Sequence, residues 1–276
     1  MATKKHRAFL KWAGGKYSLI EEINKLLPSG ERLVEPFVGA GSVFLNTDYK
    51  EYVLNDINKD LINLYQTIQQ TPEKFIADAR KLFCDQNNQA EAYYELRKEF
   101  NATVDKYYRS LLFLYLNRHG YNGLCRYNRS GGYNVPFGKY KKPYFPEAEL
   151  EFFSEKSQKA IFICEGYRQT FERVQNNDVV YCDPPYVPLS KTASFTSYAG
   201  NGFGLDEQAD LANAAEETVS RVKASVLISN HDTIWTRKIY QGAVKRKSIK
   251  VARTISQKAT QRKKVGELLA LYKPSK

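Results

Sequence analysis

Histidine and cysteine are too few and too scattered in this chain to build a metal centre. The three histidines, His6, His119 and His231, stand far apart, and the four cysteines, Cys84, Cys125, Cys164 and Cys182, include no Cys-x-x-Cys pair. That spacing excludes a zinc finger, a dithiol redox motif and the His-x-Glu with Cys-x-x-Cys signature of zinc-dependent base deaminases. His231-Asp232 alone is a weak case for a metal hydrolase, so no metal is expected. Cys164 and Cys182 fall in apolar runs that read as strands, and they are expected to be small buried residues in a reducing compartment.

Long hydrophobic runs are missing as well. No stretch approaches the ~20 apolar residues of a membrane span. The basic start Met1–Arg7 is followed only by Ala8-Phe9-Leu10 before Lys11, too short for the apolar region of a signal peptide. A soluble, cytoplasmic protein is expected. At 276 residues and 42% hydrophobic content the chain is either one large domain or a core with a substantial insertion.

Acid is absent where it matters most. From Arg109 to Pro146 there are seven Lys/Arg, nine Phe/Tyr and no Asp or Glu. From Arg221 to Lys264 thirteen Lys/Arg face a single acid, Asp232. With a net charge of +12, this asymmetry favours a polyanionic partner, because each neutralised phosphate releases counterions. The alternatives are a flexible basic loop and a solvated face. The absence of any acid across so long a span tips the first segment toward nucleic acid.

What is present is an alternation of strands and helices. Val179-Val180-Tyr181-Cys182 reads as a buried strand, which the prolines of Asp183-Pro184-Pro185-Tyr186 must end. A carboxylate thus stands at a strand's carboxyl end, where open α/β sheets bind ligands. The alternative is a strand-terminating turn with a surface Asp and a packed Tyr.

Upstream, Gly14-Gly15-Lys16 precedes a helical pattern from Ser18 to Leu27, and it forms either an anion-receiving loop or a plain turn. Leu33-Val34-Glu35-Pro36-Phe37-Val38-Gly39-Ala40-Gly41 predicts a strand and a Gly-rich turn entering a helix. Phe44 stands where a pyrophosphate fingerprint needs a third small residue, which disfavours a dinucleotide. Tyr52-Val53-Leu54 predicts a second strand ending at Asn55-Asp56. Asp56 either accepts hydrogen bonds from two ribose hydroxyls or caps the helix beginning near Asn58.

Helical periodicity covers 58–83 and 88–117. A helix at 147–158, strand 160–164, a further helix, helix 206–222, strand 225–229, helix 233–241 and strands near 248–256 and 265–272 follow. Residues 187–204, rich in Ser, Thr, Ala and Gly, are expected to be a loop able to order over a substrate. The pattern predicts an α/β protein with a mostly parallel sheet.

Trp12-Ala13-Gly14-Gly15-Lys16, the Phe-x-Gly-x-Gly of Phe37, Gly39 and Gly41, and Asp183-Pro184-Pro185-Tyr186, with the basic insert between the second and third, resemble the α-group of S-adenosylmethionine-dependent amino methyltransferases acting on DNA. The resemblance is closer still to the bacterial Dam-type adenine methyltransferases. The resemblance covers nearly the whole chain, including residues 35–42, 117–128, 134–138 and 227–232. It implies a Rossmann-like methyltransferase domain from 1–56 and 147–276, and a largely helical target-recognition insert at 57–146 with a DNA-reading loop at 118–146.

The implied reaction is methyl transfer from S-adenosylmethionine to adenine N6 in double-stranded GATC, with the base flipped out. Trp12 and Lys16 would hold the methionine end, Phe37, Gly39 and Gly41 the cofactor turn, and Asp56 the ribose. Asp183, Pro184, Pro185 and Tyr186 would be the catalytic segment, with Asp183 also bordering the cofactor. Asp183 and the Pro184 carbonyl would accept from the amino group, and Tyr186 would stack on the base. On the DNA, Lys11 would read the first guanine, with Leu124, Arg126 and Pro136 on the other side of the site. Tyr121 would enter the stack and Asn122 lie near the backbone, with Arg118, Lys139 and Tyr140 completing the contacts. The resemblance implies no metal, and the protein is expected to act as a monomer. The rival activities are amino methylation of RNA or of cytosine N4. A non-catalytic DNA-binding protein is the rival from another class, and the intact Asp183 and Lys16 count against it.

Overall fold

Residues 5–186, 203–252 and 264–274 are described by the computed structural model. Seven strands, β1 (Arg32–Glu35), β2 (Glu51–Asn55), β3 (Ala160–Ile163), β4 (Val179–Cys182), β5 (Ser225–His231), β6 (Lys245–Ala252) and β7 (Lys264–Tyr272), form one mixed sheet in the order β3-β2-β1-β4-β5-β7-β6. This is the expected α/β, Rossmann-like class: the order 3-2-1-4-5 is that of a doubly wound sheet, extended by an antiparallel pair. The chain divides into two compact units. Unit 1 comprises Met1–Glu21, Val38–Asp48 and Tyr52–Glu165, and unit 2 comprises Glu22–Phe37, Tyr49–Glu51 and Gly166–Lys276.

In unit 2, β1, β4 and β5 run parallel, with Leu33 opposite Val179 and Val180 opposite Val226. Leu33, Val34, Val179, Val180, Val226, Leu227 and Ile228 are at most 1% exposed. Such unbroken apolar runs suit strands covered on both faces, whereas a half-exposed strand would alternate. Helix α8 (Leu205–Val222) buries Leu211, Ala212 and Ala215, and β7 pairs antiparallel with both β5 and β6.

In unit 1, β2 and β3 are parallel. Helices α2 (Lys59–Gln70), α3 (Pro72–Leu82), α4 (Ala90–Ala102), α5 (Lys106–His119) and α6 (Glu147–Ser157) make up most of the rest. Every residue of α5 from Ser110 to His119 is buried, so this helix, apolar almost all round, is the centre of the unit.

Local chemistry overrode periodicity at several points. The helix predicted over 58–83 is two helices, because Pro72 lacks an N–H and disfavours helical geometry at Thr71. The helix over 88–117 is also split, with Asp105 capping the second half by accepting from the amides of Tyr107 (2.8 Å) and Tyr108 (3.2 Å). The glycine turn enters no α-helix. A short 3₁₀ turn, Phe44–Asn46, stands there, and Asn46 Nδ2 (2.8 Å) and Thr47 Oγ1 (3.0 Å) take the carbonyls of Ser42 and Val43 that a helix would have used. The Ser18–Leu27 pattern forms a 3₁₀ turn and a short α-helix ending at Asn24. Cys164, expected to be buried, lies just beyond β3 and is exposed, while Cys182 is buried as expected. Strand β6 begins at Lys245 instead of near 248. Residues 253–256 and, apart from Phe203 and Gly204, the loop at 187–204 lie outside the described residues. Among the described residues no helix is long and apolar enough to cross a membrane.

Asp60 offsets a cation of the basic stretch. Arg109 donates to both its oxygens, through Nε at 2.5 Å and Nη2 at 3.0 Å, and the Tyr127 hydroxyl adds a third bond at 2.7 Å. The hydrogen bond to Asp60 holds the Arg109 guanidinium above its ordinary pKa. The pair is largely covered, and removing one partner strands the other's charge. We expect Asp60→Ala to cost about 3 kcal/mol, read as a lower denaturant midpoint in equilibrium unfolding. An unchanged midpoint would show that the pair contributes nothing to stability.

Candidate active site and nucleic-acid interface

Because β1, β4 and β5 are parallel, the residues that follow them emerge at the same end of these strands. The β1–β4 neighbourhood is where the strand order reverses, the position at which open α/β sheets bind ligands. The segment after β4 is Asp183-Pro184-Pro185-Tyr186. Asp183 Oδ1 accepts from Ser229 Oγ at 3.1 Å, and Ser229 Oγ lies 3.0 Å from the Tyr181 hydroxyl. Tyr186 donates its hydroxyl to Glu267, and its ring meets His231 edge-on at 4.6 Å between centroids. His231 and Glu267 are direct partners across β5 and β7, which is how they reach the same tyrosine. Burial, with the charges of Asp183 and Glu267, pushes the Tyr186 phenol well above its usual pKa, so it acts as a neutral donor. Beyond β1, Phe37 stacks with Tyr167 at 5.5 Å and meets Phe203 edge-on at 5.5 Å.

Unit 1 gathers Trp12, Gly39 and Asp56. Gly39 has φ +48°, and a Cβ there would stand 3.0 Å from Trp12 Nε1, so glycine is required both for the turn and for the approach of the indole. Its N–H donates to Asp56 Oδ2 at 3.1 Å and its carbonyl accepts from the Tyr65 hydroxyl at 2.5 Å. Asp56 Oδ1 accepts from the Asn58 amide at 2.9 Å. Of the two sequence readings of Asp56, helix capping falls away: Asn58 is the cap, accepting from Asp60 N at 3.0 Å and Leu61 N at 3.2 Å. Burial raises the Asp56 pKa against the pull of its two backbone donors. Lys16 is 5% exposed, with Nζ 2.6 Å from the Gly14 carbonyl. Gly41, at φ +72°, completes the turn.

The groups of unit 1, a half-buried carboxylate, an indole against a glycine and a buried ammonium, have the chemistry to hold a nucleoside carrying a carboxylate-bearing tail.

The residues expected from sequence to meet DNA, all in unit 1, fall into two groups. Lys11 has its N–H on Asn117 Oδ1 at 2.9 Å and its carbonyl on Asn117 Nδ2 at 2.8 Å. Its ammonium lies 3.9 Å above the Tyr140 ring, and Tyr140 accepts from the Asn122 amide at 3.0 Å. A Cβ at Gly123, φ +61°, would lie 2.2 Å from Lys11 Cβ, so glycine alone allows this approach. Burial and the Arg118 charge lower the Lys11 pKa. Asn122 and Lys139 both have φ +53°, an uncommon conformation for non-glycine residues that concentrates at functional turns.

In the second group, Arg126 is exposed, but its Nε and Nη2 are held on the Asn134 side-chain and main-chain oxygens at 2.7 and 2.9 Å. Tyr121 and Pro136 are exposed and Leu124 is half-buried. Arg118 is placed differently: it is buried, and donates to the carbonyls of Tyr144 (3.0 Å) and Phe9 (3.4 Å). Asn117, Asn134, Ser229 and Glu267 were not singled out as site residues from sequence. Each acts by holding a residue that was, and a side chain's partner across the fold leaves no local pattern.

The chain matches, over residues 12–255, the family model described as D12 class N6 adenine-specific DNA methyltransferase. It is 60% identical over 271 residues to a DNA adenine methylase of Vibrio cholerae serotype O1, covering 98% of each chain. To the DNA adenine methylase of Escherichia coli K12 it is 59% identical over 271 residues, covering 98% of this chain and 97% of that one. To that of Serratia marcescens it is 57% identical over 270 residues, covering 98% of this chain and 100% of that one. The resemblance seen in the motifs thus holds along the whole length, and the chain belongs to the D12-class family of N6 adenine-specific DNA methyltransferases.

Proposed function

We propose that the adenine-N6 methylation of DNA to which family membership points draws its methyl group from S-adenosylmethionine, acts at double-stranded GATC sites, and flips the target base out of the stack. The observation that carries the residue assignments is the Asp183-Pro184-Pro185-Tyr186 segment at the end of β4, with its carboxylate tied to Ser229.

When bound, the donor supplies an electrophilic sulfonium methyl. Lys16 pairs with its carboxylate, Trp12 and Phe37 offer flat apolar faces, Gly39 and Gly41 shape the turn, and Asp56 accepts from the ribose hydroxyls. The exocyclic nitrogen of adenine is a poor nucleophile, because its lone pair is delocalised into the ring. Asp183 and the Pro184 carbonyl accept its two hydrogens and favour a geometry that frees the pair, while Tyr186 stacks on the base. The gain is orientation and electrostatics, and Asp183 need not be a strong base, since the methylated nitrogen becomes acidic on its own.

On the DNA, Lys11 reads the first guanine, and Leu124, Arg126 and Pro136 read the other side of the site. Tyr121 fills the gap left by the flipped base, and Asn122, Lys139 and Tyr140 contact the strand. Arg118 serves the interface by anchoring the Phe9 carbonyl two residues before Lys11.

Labelled methyl from S-adenosylmethionine should appear on a duplex with one GATC site and not on a duplex without one. Equal labelling of both would remove the specificity claim, and labelling of neither would remove the donor. Arg126→Ala should cost about 1–3 kcal/mol of discrimination at one guanine, measured as the ratio of kcat/KM for GATC and single-mismatch duplexes. Asp56 is a good acceptor only when ionised, and its pKa is raised, so that form is lost as pH falls through a value above the ordinary carboxylate range. Donor affinity should therefore weaken as pH is lowered, at a higher pH than an unshifted aspartate would give. Calorimetric titration at successive pH values should show this decline, and Asp56→Asn should bind weakly without it.

A further inference from the structure

The described residues of unit 2 include a polar relay that the methyl-transfer chemistry does not use. Gln208 of α8, Asn230 of β5 and Tyr240, which follows helix α9 (Ile234–Ile239), are each 0% exposed. Their hydrogen bonds have an unambiguous direction. The His231 amide must donate, and it donates to Asn230 Oδ1 at 2.8 Å, so Asn230 Nδ2 points the other way. That nitrogen donates to Gln208 Oε1 at 2.8 Å and to the Tyr240 hydroxyl at 3.1 Å, and the Tyr240 hydroxyl donates to the same Gln208 oxygen. With Oε1 occupied by two donors, the Gln208 amide cannot flip, and its Nε2 is held on the Pro185 carbonyl at 2.7 Å.

Pro184 and Pro185 have no N–H, so the diproline itself can be tied down by hydrogen bonds only through its carbonyls. Ser229 ties Asp183 at one end and Glu267 ties Tyr186 at the other. Between them, Gln208 is the donor seen on the diproline carbonyls. We propose that Gln208 is a positioning residue for methyl transfer: through the Pro185 carbonyl it fixes the diproline turn, and with it the direction of the Pro184 carbonyl and the Asp183 carboxylate. This rests on the reading of Asp183 and Pro184 as the acceptors of the adenine amino group.

Gln208→Glu tests the bond by charge. The introduced carboxyl still accepts from Asn230 and Tyr240. When ionised it sets an oxygen against the Pro185 carbonyl, and when protonated it can donate to it. The single-turnover rate of labelled-methyl transfer to a GATC duplex should fall about 10- to 100-fold once the pH is high enough to ionise this buried carboxyl. The ratio of variant to unaltered rate should then climb as pH falls, with donor and DNA affinities within twofold. Gln208→Met, which packs similarly but never donates, should be slowed by a ratio that does not recover in acid.

A rate within twofold of the unaltered enzyme in both variants would overturn the proposal. So would a pH-independent ratio for Gln208→Glu, since a packing role alone predicts one. Asp183→Ala separates the two readings: if it transfers methyl at the normal rate, the amino-group clamp itself fails and the Gln208 role with it. If Asp183→Ala is inactive while the Gln208 variants are unaffected, the positioning role alone is wrong.

Discussion

Two adjacent prolines remove two amide hydrogens from the segment that follows β4, and a backbone without donors can be fixed only through its carbonyls and its flanking side chains. Much of the polar architecture of unit 2 answers that constraint. Ser229, two residues before the end of β5, reaches Asp183, and Glu267, drawn opposite His231 by the β5–β7 register, reaches Tyr186. Gln208, immobilised by Asn230 and Tyr240, reaches Pro185. Each of these anchors comes from an element far away in sequence, and each is buried, where an unmade hydrogen bond costs most. The diproline therefore gives the site rigidity without a backbone ladder.

A comparable economy governs unit 1. Gly39 meets three demands in one residue: a left-handed turn, space for the Trp12 indole, and an amide aimed at Asp56. Gly123 meets the first two for Lys11, a left-handed turn and space for its side chain. In both places the missing Cβ brings two functional groups together, so the glycine matters for what it lets approach as much as for its own conformation.

Charge needed the fold before it could be interpreted. The acid-free stretch from Arg109 to Pro146 looks like a uniform cationic surface when written as letters. In three dimensions Arg109 neutralises Asp60, Arg118 is buried on main-chain carbonyls, and Arg126 is exposed but leans on Asn134. The count of cations overstated what a nucleic acid can meet, while the arrangement of those that remain is more specific than a count implies.

The sequence by itself determined the alternation of strands and helices, the carboxylate at the end of β4, the glycine turn and the family. Each rests on local chemistry: apolar runs, proline's missing donor, glycine's backbone freedom and ordered motifs. It also determined that no pyrophosphate fingerprint is present, from Phe44 alone. Tertiary structure decided what depends on partners distant along the chain. It set the Asp56 carboxylate against the Gly39 amide and exposed Cys164. It also turned Gln208, Asn230 and Tyr240, three unremarkable polar residues on separate elements, into one directed relay, because a hydrogen bond between residues far apart in sequence leaves no periodicity to read.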